Sequence, residues 1–153
     1  MSRSSFTRRV ALAASAIAAT AAAFPIVHAT AAAPAKTQSC SITVVGQQDN
    51  GQFITTPMSC TTGGVAMAAA LFPIAVHYLG LNFTGSTLTI YGDGCNNGWL
   101  NMPAGWQNNI SSTYSGCIVD HYDGINLIPA IQTLYSPGNL TTLDNKTNSA
   151  VYR

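Results

Sequence analysis

Val76-His77-Tyr78-Leu79-Gly80-Leu81-Asn82-Phe83-Thr84-Gly85 and Asp120-His121-Tyr122-Asp123-Gly124-Ile125-Asn126-Leu127-Ile128-Pro129 are two versions of one stretch, sharing the frame His-Tyr-x-Gly-apolar-Asn-apolar. A second pair comes later in the same order: Gln107-Asn108-Asn109-Ile110-Ser111-Ser112 and Asp144-Asn145-Lys146-Thr147-Asn148-Ser149. Two ordered matches mark a duplicated supersecondary unit. Within each copy the local pattern predicts strands at Ile74 to Tyr78 and Leu88 to Tyr91, then at Ile118 to Tyr122 and Ile131 to Tyr135, punctuated by Gly, Asn and Pro. Short strands with frequent turns argue for an antiparallel sandwich, divided into a pair of four-stranded Greek keys.

Tyr78, Phe83 and Gly85 have the spacing aromatic-x4-aromatic-x-Gly, and a Ser/Thr-bearing segment closes each copy. In this the chain resembles the βγ-crystallins. The resemblance implies an aromatic pair packing a folded hairpin, with the glycine permitting a backbone bend. The second copy carries Tyr122 but has Leu127 for the second aromatic and Pro129 for the glycine, so its bend is expected to be built differently. The fold expected is an all-β, βγ-crystallin-like Greek-key sandwich over residues 72–153, preceded by a disulfide-stapled β-hairpin.

Upstream, Ile42-Thr43-Val44-Val45 and Gln52-Phe53-Ile54-Thr55 flank Asp49-Asn50-Gly51, a tight-turn sequence that predicts the hairpin. The apolar run Val65 to Val76 fits a short helix or a strand equally. Four cysteines allow three pairings. Cys40 with Cys60 and Cys95 with Cys117 are favoured, because each closes a loop of about 20 residues and would stabilise by roughly 3 kcal/mol.

The chain opens with a basic, acid-free start containing Arg3, Arg8 and Arg9, then an Ala-rich apolar run broken by Pro25 and His28. That pattern predicts a signal peptide over residues 1–31, of bacterial type, rather than a membrane span. Thr7-Arg8-Arg9 admits twin-arginine export, but the residues after this pair match that signal poorly and suit ordinary secretion better. The exported part would be extracellular and oxidised. A linker and hairpin segment, residues 32–71, then leads into the sandwich.

Without the leader only Lys36, Lys146 and Arg153 stand against Asp49, Asp93, Asp120, Asp123 and Asp144. So few cations give no footprint for a phosphate backbone, which excludes nucleic acid as a partner. Only 7% of all residues are charged, so the surface must be largely neutral and tolerant of close contact.

The resemblance also implies a candidate calcium chemistry, because the segment N/D-N/D-x-x-S/T-S supplies side-chain, hydroxyl and carbonyl oxygens suited to a hard cation. In the first motif the matching residues are Asn108, Asn109 through its carbonyl and Ser111, with Gln107 departing from the pattern and Asp123 completing the site. In the second they are Asp144, Asn145, Lys146 through its carbonyl and Asn148, with the backbone of Leu79. One carboxylate per site predicts weak affinity, around 10⁻⁴ M or weaker. No Gly-x-Ser-x-Gly and no paired carboxylates stand out, and His77 and His121, repeated beside Tyr78 and Tyr122, read as packing residues.

The expectation is therefore a secreted, non-enzymatic binding module, an adaptor between other secreted proteins or a component of an extracellular or toxin assembly. Calcium-binding structural module and secreted peptidase inhibitor are the alternatives. The tail Ala32-Ala33-Pro34-Ala35-Lys36-Thr37-Gln38, with Lys36 its one charge, is a candidate partner-binding segment, since an extended chain carrying proline loses little entropy in a groove.

Overall fold

The computed structural model describes residues 37–62 and 71–153. The leader, residues 32–36 of the tail and residues 65–70 of the apolar run lie outside the described residues.

The described chain forms eleven strands: β1 (Gln38–Gln47), β2 (Phe53–Thr55), β3 (Ser59–Thr62), β4 (Phe72–Gly80), β5 (Thr84–Gly92), β6 (Gly98–Asn101), β7 (Ser112–Ser115), β8 (Val119–Tyr122), β9 (Ile131–Leu134), β10 (Gly138–Asn139) and β11 (Ser149–Tyr152). One sheet runs β10-β7-β4-β5-β1-β2, with β3 also on β1, and a four-stranded sheet runs β6-β11-β8-β9. Each sheet therefore contains a strand lent by the other copy. β6, from the first copy, pairs with β11, and β10, from the second, pairs with β7. This exchange makes a single core of the two motifs, since neither sheet is complete without the other.

Apolar residues at alternate positions of β4, β5, β8 and β11 face inward, and Leu88, Ile90, Ile110, Val119, Ala150 and Tyr152 are buried together. Burying a large residue of this kind contributes about 1.5–3 kcal/mol, so the closure of the two sheets is the main source of stability.

The hairpin forms as expected around Asp49-Asn50-Gly51, with Val44 opposite Thr55 and Gln47 opposite Phe53. Gly51 takes φ +86°, a conformation glycine adopts without a Cβ penalty. β1 also runs parallel to β5, Ser39 opposite Thr87 through Thr43 opposite Tyr91, so the hairpin extends the first sheet. Gln38, expected in an unpaired tail, is instead the first residue of β1. It faces Thr62, and its N–H donates to Ser86 Oγ at 3.0 Å. The extended backbone of Gln38 completes a ladder that a neutral polar side chain gave no reason to expect.

Both favoured disulfides are present, Cys40–Cys60 and Cys95–Cys117, with sequence separations of 20 and 22. The first links facing positions on β1 and β3. The second ties the β5–β6 loop to the turn before β8.

Candidate functional site

The repeated frame builds the same folded hairpin twice. After β4 the chain makes a 3-10 turn at Leu81–Phe83, and after β8 an equivalent turn at Ile125–Leu127. Asn82 and Asn126 adopt φ of 55° and 56°, and Phe83 and Leu127 both φ 61°. Asparagine tolerates this left-handed region better than other non-glycine residues, which explains its repetition. Gly80 and Gly124 are repeated for a different reason. A Cβ at Gly80 would lie 2.3 Å from Thr84 Oγ1, and one at Gly124 2.8 Å from the Ile128 carbonyl oxygen.

Each left-handed asparagine is clamped by a partner that the sequence did not reveal. Asn139 Oδ1 accepts from the Asn82 N–H at 2.6 Å while its amide donates to Asn82 Oδ1 at 2.8 Å. Asn101 holds Asn126 the same way, at 2.7 and 2.9 Å. Asn101 and Asn139 are the last residues of β6 and β10, the two lent strands, a correspondence only the topology exposes.

Ser112 and Ser149 then seal the hairpins. Ser112 Oγ donates to the Gly80 carbonyl at 2.7 Å and accepts from the Phe83 N–H at 3.0 Å. Ser149 Oγ does likewise with Gly124 at 2.6 Å and the Leu127 N–H at 3.1 Å.

Tyr78 and Phe83 stack edge to face, ring centroids 5.6 Å apart, with Phe83 also against Tyr114 at 6.2 Å. In the second copy the bend is built differently. Gly85 takes φ 84°, whereas proline occupies the matching position and the positive φ moves one residue on, to Ala130 at 68°.

Between the hairpins the two Ser/Asn segments cross. The Asn108 N–H donates to the Thr147 carbonyl, and the Asn145 N–H reciprocally to Ile110, while the Ser111 and Asn148 N–H groups reach the carbonyls of Tyr78 and Tyr122. The crossing gathers oxygen-bearing groups into two clusters, each mixing residues from both segments. In the first, Ser111 Oγ lies 3.2 Å from Asn145 Oδ1. In the second, the Asn148 amide nitrogen lies 2.8 Å from Asn108 Oδ1 and 3.1 Å from the Lys146 carbonyl oxygen, and also donates to the carbonyl of Asp123.

This grouping differs from the one expected, in which Asn108 shares a site with Ser111 and Asp123, and Asn145 with Asn148 and Leu79. Instead, Asn108 joins Asn148, Lys146 and Asp123, while Asn145 joins Ser111, because the segments exchange partners across the pseudo-two-fold. Asp123 enters through its carbonyl. Gln107 turns away to donate to Met102 at 2.9 Å, and the Asn109 amide is engaged with the Gly105 and Gln107 carbonyls. The Asp144 carboxyl has a buried oxygen, Oδ1, with no hydrogen-bond partner, the one such side-chain atom among the described residues.

The two repeated histidines are fully enclosed. Tyr152 Oη, His77, Thr113 Oγ1, His121 and Thr147 Oγ1 form a continuous chain, at 2.8, 2.9, 3.2 and 3.4 Å in turn. With neutral imidazoles every link can be satisfied with all donors oriented one way or all the other. Burial pushes His77 far below the ordinary imidazole range, helped by His121. Burial also pushes His121 down to about 4, although Asp120 opposes the shift. Asp120 in turn pairs with Arg153 at 2.7 Å.

No group of three or more His, Cys, Asp or Glu is placed to hold a metal ion among the described residues, and no helix there is long and apolar enough to cross a membrane. Three apolar surfaces stand out among the described residues, one of them Leu81, Phe83 and Tyr114 at the first hairpin. Phe72, 78% exposed, and Val45, 63%, lie with Ile54 and Leu71 toward the β1–β2 end. Val44, Val45, Phe53 and Leu71 line a cavity of about 350 Å³ there, together with Asp93 and Asn96. Ile125, Ile128, Ile131 and Tyr135 are exposed around β9.

No family model matches the sequence, and no curated protein sequence matches it. Solved structures do resemble the chain. A mutant βγ-crystallin domain from Clostridium beijerinckii is 19% identical, with 52% of this chain and 99% of that one covered and a TM-score of 0.43. A clostrillin double mutant in complex with nickel is 18% identical over 51% of this chain and 94% of that one, with a TM-score of 0.42. The N-terminal domain of Protein S is 15% identical over 55% and 96%, with a TM-score of 0.43. Several of the matching structures are described as βγ-crystallin domains.

Proposed function

We propose that the chain is a non-enzymatic binding module that recognises another protein outside the cell. The observation that carries this reading is the β1–β2 end, where Val45 and Leu71 help line a cavity of mixed polar and apolar character and Phe72, next to Leu71, projects into solvent, on a surface with few charges. Exposed aromatic and aliphatic groups around a concavity are what a protein interface needs at its centre, where desolvation supplies most of the affinity. An adaptor role requires that the β9 surface meet a second partner.

Co-purification of the full chain from culture supernatant tests this. A partner should be recovered by the native chain and lost with Phe72→Ser plus Val45→Ser. Retention of the partner by that variant would remove this surface from the reading, and recovery of the chain only as a monomer under gentle conditions would remove the adaptor.

A second reading is weak calcium binding at the first cluster. Ser111 Oγ and Asn145 Oδ1 are neutral oxygens a hard cation accepts, and the orphaned Asp144 Oδ1 belongs to the residue before Asn145. Carbonyl oxygens of Leu79 and Asn109, which match Asp123 and Lys146 in the repeat, would complete the set. Millimolar calcium should raise the Tm by mass action, and Ser111→Ala with Asn145→Ala should abolish the rise. An unchanged melt from chelator through millimolar calcium would leave these groups as loop-building residues.

A further inference from the structure

The two clusters are related by the repeat but are chemically unequal. Where the first copy has the hydroxyl of Ser111, the second has the carboxamide of Asn148. Its nitrogen is surrounded by three oxygens, Asn108 Oδ1 and the carbonyls of Lys146 and Asp123. Two of these are main-chain carbonyls, which can only accept, so the group among them must be a donor and the nitrogen is fixed inward. A converging set of oxygens around one electropositive centre is also the arrangement that would surround a small cation. We infer that the Asn148 amide is a built-in replacement for a cation, so that the second cluster is a permanently closed hydrogen-bonded latch and not a metal site.

The latch joins three segments: the β8 hairpin through Asp123, the closing segment of the second copy through Lys146, and that of the first copy through Asn108. It thereby ties the two motifs together at one end without any ion. A cation could enter only if the carboxamide rotated, withdrawing the two N–H donors that the three oxygens share and placing a fourth oxygen against the others until the ion arrived. The second cluster therefore does not fit calcium, whereas the first has at the equivalent position the hydroxyl of Ser111, an oxygen that can accept as well as donate. This inference concerns the second cluster alone and does not require that the first binds calcium.

The test uses the full chain with Ser111→Ala and Asn145→Ala as background, so that any response of the first cluster is removed. Asn148→Asp is then added, which keeps the side-chain shape but replaces the inward donor with an acceptor. In chelator the added substitution should lower the Tm by roughly 8 °C, as expected for losing about two net hydrogen bonds in a domain of this size. Millimolar calcium should restore most of that loss, while the background without Asn148→Asp should show no calcium shift. Asn148→Ser, which leaves a gap instead of a repulsion, should give a smaller loss and partial restoration if the aspartate variant fails to fold. In the native chain the Asn148 side-chain NH2 should show slowed proton exchange and an NMR position unmoved by calcium. A calcium shift in the background, movement of that resonance with calcium, or variants that melt in chelator like the background would each overturn the inference.

Discussion

Both copies of the repeat fasten their hairpins with the same asparagine clamp and serine seal, and only the first adds aromatic packing. In the first, Phe83 sits between Tyr78 and Tyr114, and the outer edge of β5 is covered by β1. In the second, Leu127 replaces the aromatic, Val151 stands where the first copy has Tyr114, and β9 pairs with β8 alone among the described strands. The backbone is nevertheless nearly the same, with matching positive φ at Asn82 and Asn126 and matching serine seals. Backbone geometry at the bend is thus set by asparagine, glycine and serine, and the aromatics add packing to a shape already specified.

The largest expected effect concerns the histidines that occupy the same position in both copies. An unfolded histidine titrates near 6.5, whereas folded His121 resists protonation until about 4. Stability should be fully present above pH 6.5 and should fall as pH drops toward 4, by roughly 3 kcal/mol from His121, with His77 adding to the loss. Urea unfolding at pH 7 and 4.5 measures this. His121→Gln should flatten part of the profile and His77→Gln a larger part at the acid end, since only His121 has Asp120 to offset its burial. Equal stability at both pH values would show that the buried chain does not couple the copies to pH.

The hairpin glycines should separate next. At Gly124 a Cβ meets the Ile128 carbonyl oxygen at 2.8 Å, while at Gly80 the Thr84 carbonyl oxygen is farther, at 3.0 Å, and the nearer Thr84 Oγ1 can rotate away at the cost of its hydrogen bond to Leu81. Gly124→Ala should cost about 2 kcal/mol and Gly80→Ala less, as overpacking costs are typically in the range of about 1–3 kcal/mol. Thermal melts of the two variants decide it, and the reverse order would mean that the second hairpin is the more adaptable.

Phe83→Leu, which gives the first copy the residue of the second, should cost the least, about 1 kcal/mol from lost edge-to-face contacts. Its hairpin should keep its backbone, visible as an amide spectrum unchanged outside residues 78–84 and the neighbourhood of Tyr114. Widespread spectral change would show that the aromatic pair shapes the bend after all.

Much of this architecture could be read along the chain. The repeat frame located both hairpins, Asp49-Asn50-Gly51 located the first turn, and loop length favoured the cysteine pairs that form. These features depend on residues close in sequence, whose spacing and turn chemistry leave few conformations open. Tertiary structure alone decided that β1 lies parallel to β5, that β6 and β10 are exchanged between sheets, and that Asn101 and Asn139 clamp the opposite hairpins. It also decided which oxygens meet. Ser111 faces Asn145 and Asn108 faces Asn148, at sequence separations of 34 and 40, and no local pattern records which of two similar segments supplies the partner. A duplicated sequence specifies each half, including the Ser111 and Asn148 that make the two clusters chemically unequal, while the pairing of the halves arises from burying their shared core, and that packing decides which side chains each cluster brings together.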